Sequence, residues 1–533
     1  MTKRLAAACL FLCASHPAIA AADEKDDIAF IIEEGTQQSE AMVTASELMD
    51  GIGPRLTNSA NMDRAQDWAI AKFADMGLTN IHREEFEFGY GWDLVDWSAT
   101  MVSPRPLRMT ALPRAWSPPT NGVITGEVVV APMSKVEHFA EWRGKLAGKM
   151  VLISMPGETS ESDGPVFKRY TGEDISKKDA FKEETYDPHA WEERLDSAEF
   201  KQKLGEFLKA EGAQAMVAMS YRDGMLVHGT GYDFRAGEIL AVPAMELAQE
   251  DYRRLVRLAQ TGKAPTISLS IDASFDTEDT KAANVIADIK GRDAKAGYVM
   301  AGAHFDSWFA GDGAADNGAG TIVVMEAARI LAQLPKPKRT IRFALWSGEE
   351  QGLLGSRAYI EQHLATRPVD TSLAPMAQFR SWGSAWPVTK KPGYDDMKAY
   401  FNMDNGGGRF RGIHAESDFG VTPLLSKWLA PFASMDADRV VAGKTGGTDH
   451  VYLQRIGLPA YQFIQDPLDY FSRVHHSNLD TLDHLRAEDL RQASVVMAGM
   501  LWQAANSDEE LPRAGIPTEP KITDPFKVAD PNK

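Results

Sequence analysis

Between residues 269 and 507 the chain repeats one pattern, in which a short apolar run precedes a longer segment with helical spacing. Five apolar runs are predicted strands: NVIADIKG, YVMAGAHFD, TIRFALWSGEE, KAYFNMDNGGG and PAYQFIQDP. Helical segments such as TIVVMEAARILAQL and LLGSRAYIEQHL separate several of these runs. Strands that alternate with helices form a parallel sheet covered by helices. The pattern predicts an α/β fold with a mostly parallel central sheet flanked by helices.

Residues 113–268 predict an inserted, smaller domain that is α/β or rich in β-strands. GKMVLISMP and ILAVPAMEL are predicted strands, and FKQKLGEFLKAEG is an amphipathic helix followed by a further apolar run. The region holds no close cluster of His, Asp and Glu. Its charged stretch is therefore expected to be solvated surface.

Residues 21–112 are predicted to be the N-terminal part of the main domain. Ala65, Trp68, Ala69 and Phe73 recur at helical spacing, and Gly77 is expected to end that helix before a strand. Residues 367–393 are rich in Pro, Trp and Ser and predict an inserted loop. Residues 508–533 predict a Pro-rich, extended tail.

Residues 1–20 have the pattern of a secretory signal peptide of a bacterial type. Lys3 and Arg4 precede an apolar core, and Ala18-Ile19-Ala20 is an A-x-A cleavage site. The pattern predicts an exported protein, periplasmic or secreted, and a short buried helix is the alternative. No later segment reaches the ~18 apolar residues that a membrane span requires, so none is expected.

The composition limits the chemistry that the chain can use. Lys and Arg number 57 and Asp and Glu 75, which leaves a net charge of −18 and disfavours nucleic acid as a partner. The 2 cysteines, Cys9 and Cys13, both lie in the predicted signal peptide. A processed chain would have no thiol, so any metal must be held by His, Asp and Glu.

Such residues stand at or near the ends of the predicted strands, in five clusters along the chain. The clusters are His304 with Asp306, Asp316, Glu349 with Glu350, Asp404, and His475 with His476. In an open parallel sheet, ligands bind beyond the carboxyl ends of the strands. We therefore expect the clusters to converge on one crevice.

Two His, one Glu and two Asp match the donors that a pair of zinc ions requires, with one Asp bridging the ions. One carboxylate is then left over. Glu349 and Glu350 are neighbours, so one can bind metal while the other faces the attacking water as a general base. The residues thus predict a metal-dependent hydrolase.

The motifs H-x-D, D-N-x-x-G, W-x-G-E-E-x-G-L-x-G-S, N-x-D and H-S-x-x-D-T occur here in one order. In that order the sequence resembles the di-zinc exopeptidases, the family of aminopeptidase Y, the bacterial leucyl aminopeptidases and carboxypeptidase Q. The early stretch IGPRLTNSANMDRAQDWA resembles the N-terminal helix region of that family. Residues 113–268 look like the protease-associated domain that some members carry as an insert.

The resemblance implies a role for each motif residue. The implied ligands of two zinc ions are His304, Asp316, Glu350, Asp404 and His476. Asp316 would bridge the ions, and Glu349 would be the general base. The resemblance also implies that the peptide bond after Asp316 is cis.

Asp306 resembles the acid that orients the first histidine in that family. Asp449 and His450 resemble a family segment near the active site and are candidate substrate contacts, as is His475. His475 competes with His476 for one ligand position, and the H-S motif favours His476.

Each assignment has a structural alternative. His304 could be an ordinary buried histidine, and Asp316 or Asp404 could be a turn residue. Glu349 and Glu350 could be acids at the first turn of a helix.

The resemblance implies a zinc exopeptidase that acts on free N-termini of peptides or on dipeptides, and the N-terminal pattern predicts that it is exported. The alternatives are a non-catalytic receptor on the same fold and a one-zinc acyltransferase similar to glutaminyl cyclase. The sequence leaves the oligomeric state open, a homodimer included.

Overall fold

The computed structural model describes residues 17–158, 164–181, 187 and 190–520. Apart from the first residues of helix α1, the predicted signal peptide lies outside the described residues, as do residues 521–533 of the predicted tail. The strands are β1 (Thr79–Glu87), β2 (Gly91–Ser103), β3 (Leu107–Arg108), β4 (Ala111–Pro113), β5 (Ile124–Val130), β6 (Met150–Leu152), β7 (Ala215–Met219), β8 (Ala244–Leu247), β9 (Thr266–Asp276), β10 (Lys281–Ile289), β11 (Tyr298–His304), β12 (Thr340–Trp346), β13 (Ala365–Thr366), β14 (Thr389–Lys390), β15 (Met397–Asn402), β16 (Phe410–His414), β17 (Arg439–Val441) and β18 (Ala460–Gln465). The helices are α1 (Pro17–Gln37), α2 (Ala41–Met49), α3 (Ala60–Asp75), α4 (Phe139–Trp142), α5 (Gly172–Ser176), α6 (Ala190–Ala210), α7 (Gln249–Gln260), α8 (Ala319–Ala332), α9 (Leu354–Tyr359), α10 (Pro375–Ser381), α11 (Thr422–Leu429), α12 (His450–Gln454) and α13 (Ala487–Asn506).

The first sheet has eight strands in the order β1-β10-β12-β11-β15-β18-β16-β17. Strands β12, β11, β15 and β18 are adjacent and parallel, and they correspond to four of the five predicted strands. The fifth predicted strand is β10, which pairs with β12 in the antiparallel direction. Residues 290–297 join β10 to β11 without a crossover helix, so the chain reverses direction there. The predicted α/β fold is confirmed, with antiparallel strands at the margins of the parallel centre.

Helices α8 and α13 form the middle of the core on one face of this sheet. Nearly every residue of α8 from Ala319 to Leu331 is buried, and α13 is buried from Ala493 to Ala505. A helix that is buried around most of its circumference is covered on several sides by other elements. Here the first sheet and helices α1, α2 and α11 surround them.

The predicted helix before Gly77 is α3. Its N-terminus is capped by Ser59, whose hydroxyl accepts a hydrogen bond from the backbone N–H of Met62 at 3.2 Å. Gly77 follows the last turn with φ = +79°, a conformation that glycine adopts at helix ends without strain. Strand β1 begins two residues later and forms the edge of the first sheet.

The second sheet also has eight strands, in the order β3-β2-β9-β5-β6-β7-β8-β4. Its central strands β5, β6, β7 and β8 are parallel, and β9, β2 and β4 pair in the antiparallel direction. The sheet takes strands from residues 91–276, a wider span than the predicted insert at 113–268. The domain boundaries given above stay a prediction.

Residues 367–393 contain more regular structure than the predicted inserted loop. Helix α10 begins at Pro375, a residue suited to a first helical turn, and β14 pairs with β13. Trp382 is buried and packs edge-on against Tyr452, with ring centroids 4.9 Å apart. Residues 367–393 thus have a composition typical of a loop, but aromatic packing holds them in an ordered conformation.

Within the described ranges, no helix combines the length and the apolar composition that a membrane crossing requires.

Candidate active site

The parallel centre of the first sheet brings the predicted site residues to one edge. His304 is the last residue of β11, Glu349 and Glu350 lie on the turn after β12, and Asp404 follows β15. His476 lies on the loop after β18. Because these strands are parallel neighbours, their carboxyl ends meet, and the side chains that follow them lie together.

Asp316 is the centre of this group. Its Oδ1 lies 3.3 Å from His304 Nε2, and its Oδ2 lies 3.2 Å from His476 Nε2. Each histidine also faces one more carboxylate. Asp404 Oδ2 is 3.7 Å from His304 Nε2, and Glu350 Oε2 is 2.9 Å from His476 Nε2. Asp316 thus presents one oxygen to each of two His–carboxylate pairs.

The donor atoms fit metal cations. Asp316 Oδ2 and Glu350 Oε1 are buried without a hydrogen-bond donor. No Lys or Arg in the described part of the chain forms an ion pair with Asp316, Glu349, Glu350 or Asp404. Donor atoms of His304, Asp316 and Glu350 lie within 4.8 Å of one another, close enough to hold one ion. Buried carboxylates without cationic partners are costly unless a metal compensates them.

The concentration of charge shifts the pKa values of these side chains. Burial, together with Asp404 and Asp449, raises the pKa of Glu349 well above its ordinary value. Burial raises the pKa of Glu350 to about 7, against the opposing effect of His476. Burial lowers the pKa of His476, but Glu350 and Asp316 outweigh it and raise that pKa to about 12. A carboxyl with a raised pKa suits proton transfer near neutral pH.

Asp306 contacts both His304 and the turn that carries the two glutamates. His304 Nδ1 lies 2.9 Å from the backbone carbonyl oxygen of Asp306 and 3.8 Å from its carboxylate. The carboxylate instead accepts hydrogen bonds from Thr57 Oγ1 at 2.9 Å and from the N–H groups of Glu349 and Glu350 at 3.2 and 3.3 Å. Asp306 therefore holds His304 through its backbone and the Glu349–Glu350 turn through its side chain.

The loop between His304 and Asp316 is held by two residues to which the sequence analysis assigned no role. The guanidinium of Arg55 is fully buried and donates to the carbonyl oxygens of Phe305 at 2.7 Å and Gly313 at 2.8 Å. Asp480 accepts from the N–H groups of Ala315 at 2.6 Å and Asp316 at 3.1 Å. Arg55 lies in the quoted stretch IGPRLTNSANMDRAQDWA and Asp480 in the motif H-S-x-x-D-T. Their place in these motifs was the sign in the sequence that they have a role.

The same loop needs glycine at one position and contains the implied cis bond. Gly313 has φ = +62°, and a Cβ there would lie 2.3 Å from the side chain of Ser307. The Asp316–Asn317 peptide bond is cis, as the resemblance implies.

His475 and His476 occupy different positions in the site. His476 faces Asp316 and Glu350, whereas His475 Nε2 is 3.8 Å from Asp316. The other ring nitrogen of His475, Nδ1, lies 3.4 Å from Nη2 of Arg222. Arg222 comes from residues 91–276, which form the second sheet and which we call the second region; the rest of the chain is the first region. Arg222 also donates to the backbone carbonyl of His475 at 3.2 Å. No motif singled out Arg222.

Asp449 and His450, the other candidate substrate contacts, are fully buried and do not line the cleft. Burial raises the pKa of Asp449 to about 7. His450 Nε2 lies 2.9 Å from Thr445 Oγ1 and 3.4 Å from Glu416. Both residues are thus buried and do not lie at the surface of the cleft.

The site opens into a cleft of about 480 Å³ whose walls come from both regions. Asp316, Glu349, Glu350, Asp404, His475 and His476 line it. Residues of helix α6, of helix α10 and of the loop around Tyr232 line it as well. A cleft of this size accommodates a small peptide-like molecule.

A strand-end group of two histidines and four carboxylates, beside a cleft on an α/β fold, defines a metal-dependent hydrolase. Residues 284–501 match the model of Peptidase family M28. Carboxypeptidase Q of Mus musculus is 25% identical over 483 residues, which cover 90% of this chain and 88% of that relative. The resemblance to the zinc exopeptidases is confirmed, and the chain is a metallo-exopeptidase.

Two solved structures support the fold. The Peptidase M28 precursor from Shewanella amazonensis SB2B is 24% identical with a TM-score of 0.64, covering 94% of this chain and 100% of that one. BSAP, a zinc aminopeptidase from Bacillus subtilis, is 20% identical with a TM-score of 0.56, covering 91% of this chain and 98% of that one.

Proposed function

We propose that the chain is an exported, zinc-dependent exopeptidase that hydrolyses peptide bonds at free N-termini of peptides or in dipeptides. The observation that carries the proposal is the position of Asp316. Its two oxygens lie 3.3 and 3.2 Å from His304 and His476, and each histidine faces a further carboxylate. This arrangement suits two zinc ions that share one bridging carboxylate.

In this proposal His304 and Asp404 complete the ligands of one ion, and Glu350 and His476 those of the other. Two zinc ions in such a site supply a Lewis acid that polarises the scissile carbonyl and lowers the pKa of water. A donor set of imidazole nitrogens and carboxylate oxygens, without thiolates, is consistent with this assignment.

Glu349 is the general base. Its carboxylate takes the proton of the attacking water and passes it to the leaving amine. The raised pKa of Glu349, which follows from burial and from Asp404 and Asp449, supports a group that both accepts and returns a proton. Asp306 positions Glu349 because its carboxylate accepts the Glu349 N–H.

Export follows from the pattern of residues 1–20. The proposal places the processed enzyme in the periplasm or outside the cell, where it would work without a cysteine.

The test is a screen of the purified protein against aminoacyl reporters, unblocked dipeptides and N-acetylated peptides, together with its zinc content. We expect two zinc ions per chain, turnover of substrates with a free N-terminus, loss of turnover with a chelator and recovery when zinc is returned. Full activity with one ion per chain would contradict the two-zinc assignment. Turnover of N-acetylated peptides at the same rate would contradict the requirement for a free amine.

A further inference from the structure

The cleft that contains the metal site is also lined by cations from three separate segments. Arg114 follows β4, Arg194 and Lys201 lie on α6, and Arg380 lies on α10. Helices α6 and α10 pack against each other, and this contact brings the cations together. The cleft thus contains the carboxylates of the metal site and a group of four cations.

Most of these cations have no carboxylate partner. Arg114 lies 4.0 Å from Asp233, but Arg194, Lys201 and Arg380 form no ion pair within 4.0 Å among the residues that the structure describes. Glu238, another carboxylate that lines the cleft, pairs with Arg235 at 3.6 Å. Nε of Arg380 is buried and has no hydrogen-bond acceptor.

The cations also repel one another. Lys201 is open to the solvent of the cleft but surrounded by protein, and this partial burial lowers its pKa, with further lowering from Arg114 and Arg380. Burial and the nearby charge of Arg194 lower the pKa of Arg380. Like charges gathered in a cleft create a potential that attracts an anionic ligand.

We propose that Lys201 and Arg380, with Arg114 and Arg194 around them, bind a carboxylate of the peptide substrate. This inference rests on the proposed function and adds a substrate class to it. A short peptide carries a positive amine at one end and a carboxylate at the other, and the cleft is lined by both the carboxylates of the metal site and this group of cations. Substrate carboxylates have two sources, the C-terminus of a short peptide and an acidic side chain.

The experiment compares three substrates with the same N-terminal residue. They are the dipeptide Ala-Leu, its C-terminal amide Ala-Leu-NH2, and Ala-Glu-NH2, which has a carboxylate only in its side chain. The wild-type protein, Lys201→Gln and Arg380→Gln are assayed for kcat and KM, with zinc content as a check that the metal site is intact. Lys203→Gln is the matched control, because Lys203 lies on the same helix, pairs with Glu199 and does not line the cleft.

We expect the wild-type protein to favour the substrate with the recognised carboxylate by roughly tenfold to a hundredfold in kcat/KM, mainly through KM. This is the size of effect that charge-assisted hydrogen bonds produce. Lys201→Gln and Arg380→Gln should lose the preference, and Lys203→Gln should retain it. A preference for Ala-Leu identifies the C-terminal carboxylate, and a preference for Ala-Glu-NH2 over Ala-Leu-NH2 identifies the side chain.

Equal turnover of all three substrates by the wild-type protein would overturn this inference and leave the exopeptidase function standing. A preference that survives both substitutions would overturn it as well. Absence of hydrolysis of every unblocked peptide, in the zinc-loaded protein, would instead refute the proposed function.

Discussion

Each of the two sheets has four adjacent parallel strands, β12, β11, β15 and β18 in the first and β5 to β8 in the second. In the first sheet, His, Glu and Asp stand at or just beyond the strand ends. In the second sheet, β6 is followed by Ile153, β7 by Ser220 and β8 by Ala248. Neither of the two His and carboxylate groups able to hold an ion includes a described residue of the second sheet. Similar topology brings strand ends together in both, and residue identity decides which of them has metal chemistry.

The second region instead shapes the site of the first. It contributes Arg222, which holds His475, and three of the four cations that line the cleft, Arg114, Arg194 and Lys201. Residues 164–181, which we call the strap, dock on the loop after β18. In this contact, Arg169 forms ion pairs with Asp466 and Asp489 at 3.0 and 2.9 Å, and Lys168 N–H donates to the carbonyl of Leu468 at 2.8 Å. The second region thus positions residues of the site, and the first region supplies the side chains of the metal site.

The largest expected effect on this contrast is the loss of Glu349, the proposed general base, which follows strand β12 of the first sheet. Glu349→Gln removes the carboxylate that we propose as the general base, so kcat should fall by roughly 10² to 10⁴. Zinc content should stay at the wild-type value, since Glu349 is not an assigned ligand. Glu127→Gln is the matched control, because Glu127 is exposed on β5 of the second sheet. Normal turnover by Glu349→Gln would overturn its role as base.

The second prediction separates the two adjacent histidines by metal content. His476→Ala removes the nitrogen that faces Asp316 and Glu350, and this variant should retain one zinc ion per chain. His475→Ala should retain both, because Arg222 holds His475 and its Nε2 is farther from Asp316. Zinc measured per chain after dialysis distinguishes them. The reverse result would exchange the two assignments.

The smallest expected effect concerns the contribution of the second region to the free energy of unfolding. Arg169→Met removes one partner of the buried Asp466 and Asp489, which keep Arg411 and Arg409 as neighbours. We expect a loss of about 1–2 kcal/mol in the free energy of unfolding, because Arg169 is partly exposed and solvent screens its charge. Urea unfolding measures this loss. Lys177→Met is the control on the same strap, since its pair with Glu173 is exposed, and an equal loss there would contradict the docking role.

Much of the first region could be predicted from the sequence because its signals are local. An apolar run that ends in His, Asp or Glu identifies both the strand and the position of the side chain at its end. The antiparallel direction of β10 and the helix in residues 367–393 were not predictable in this way. A short connection and the packing of Trp382, both tertiary effects, decided them.

The predicted ligands converge, but three of the residues that hold them carried no assignment. Arg55 and Asp480 act through backbone groups of the loop before Asp316, and Arg222 acts through His475. A side chain that forms a hydrogen bond with a distant backbone group has no characteristic sequence spacing from that group. The motif containing Asp480 was visible, but its contact with Ala315 spans 165 positions.

The sequence by itself determined the class of fold, the order of the central strands along the chain and the nitrogen and oxygen donors available for metal. These properties depend on periodicity and residue type, which a linear pattern preserves. Only the tertiary structure decided that Asp449 and His450 are buried and do not line the cleft, and that α6 and α10 bring cations into the cleft of the metal site. Those outcomes depend on which distant surfaces pack together, and packing is set by the whole chain rather than by any one segment of it.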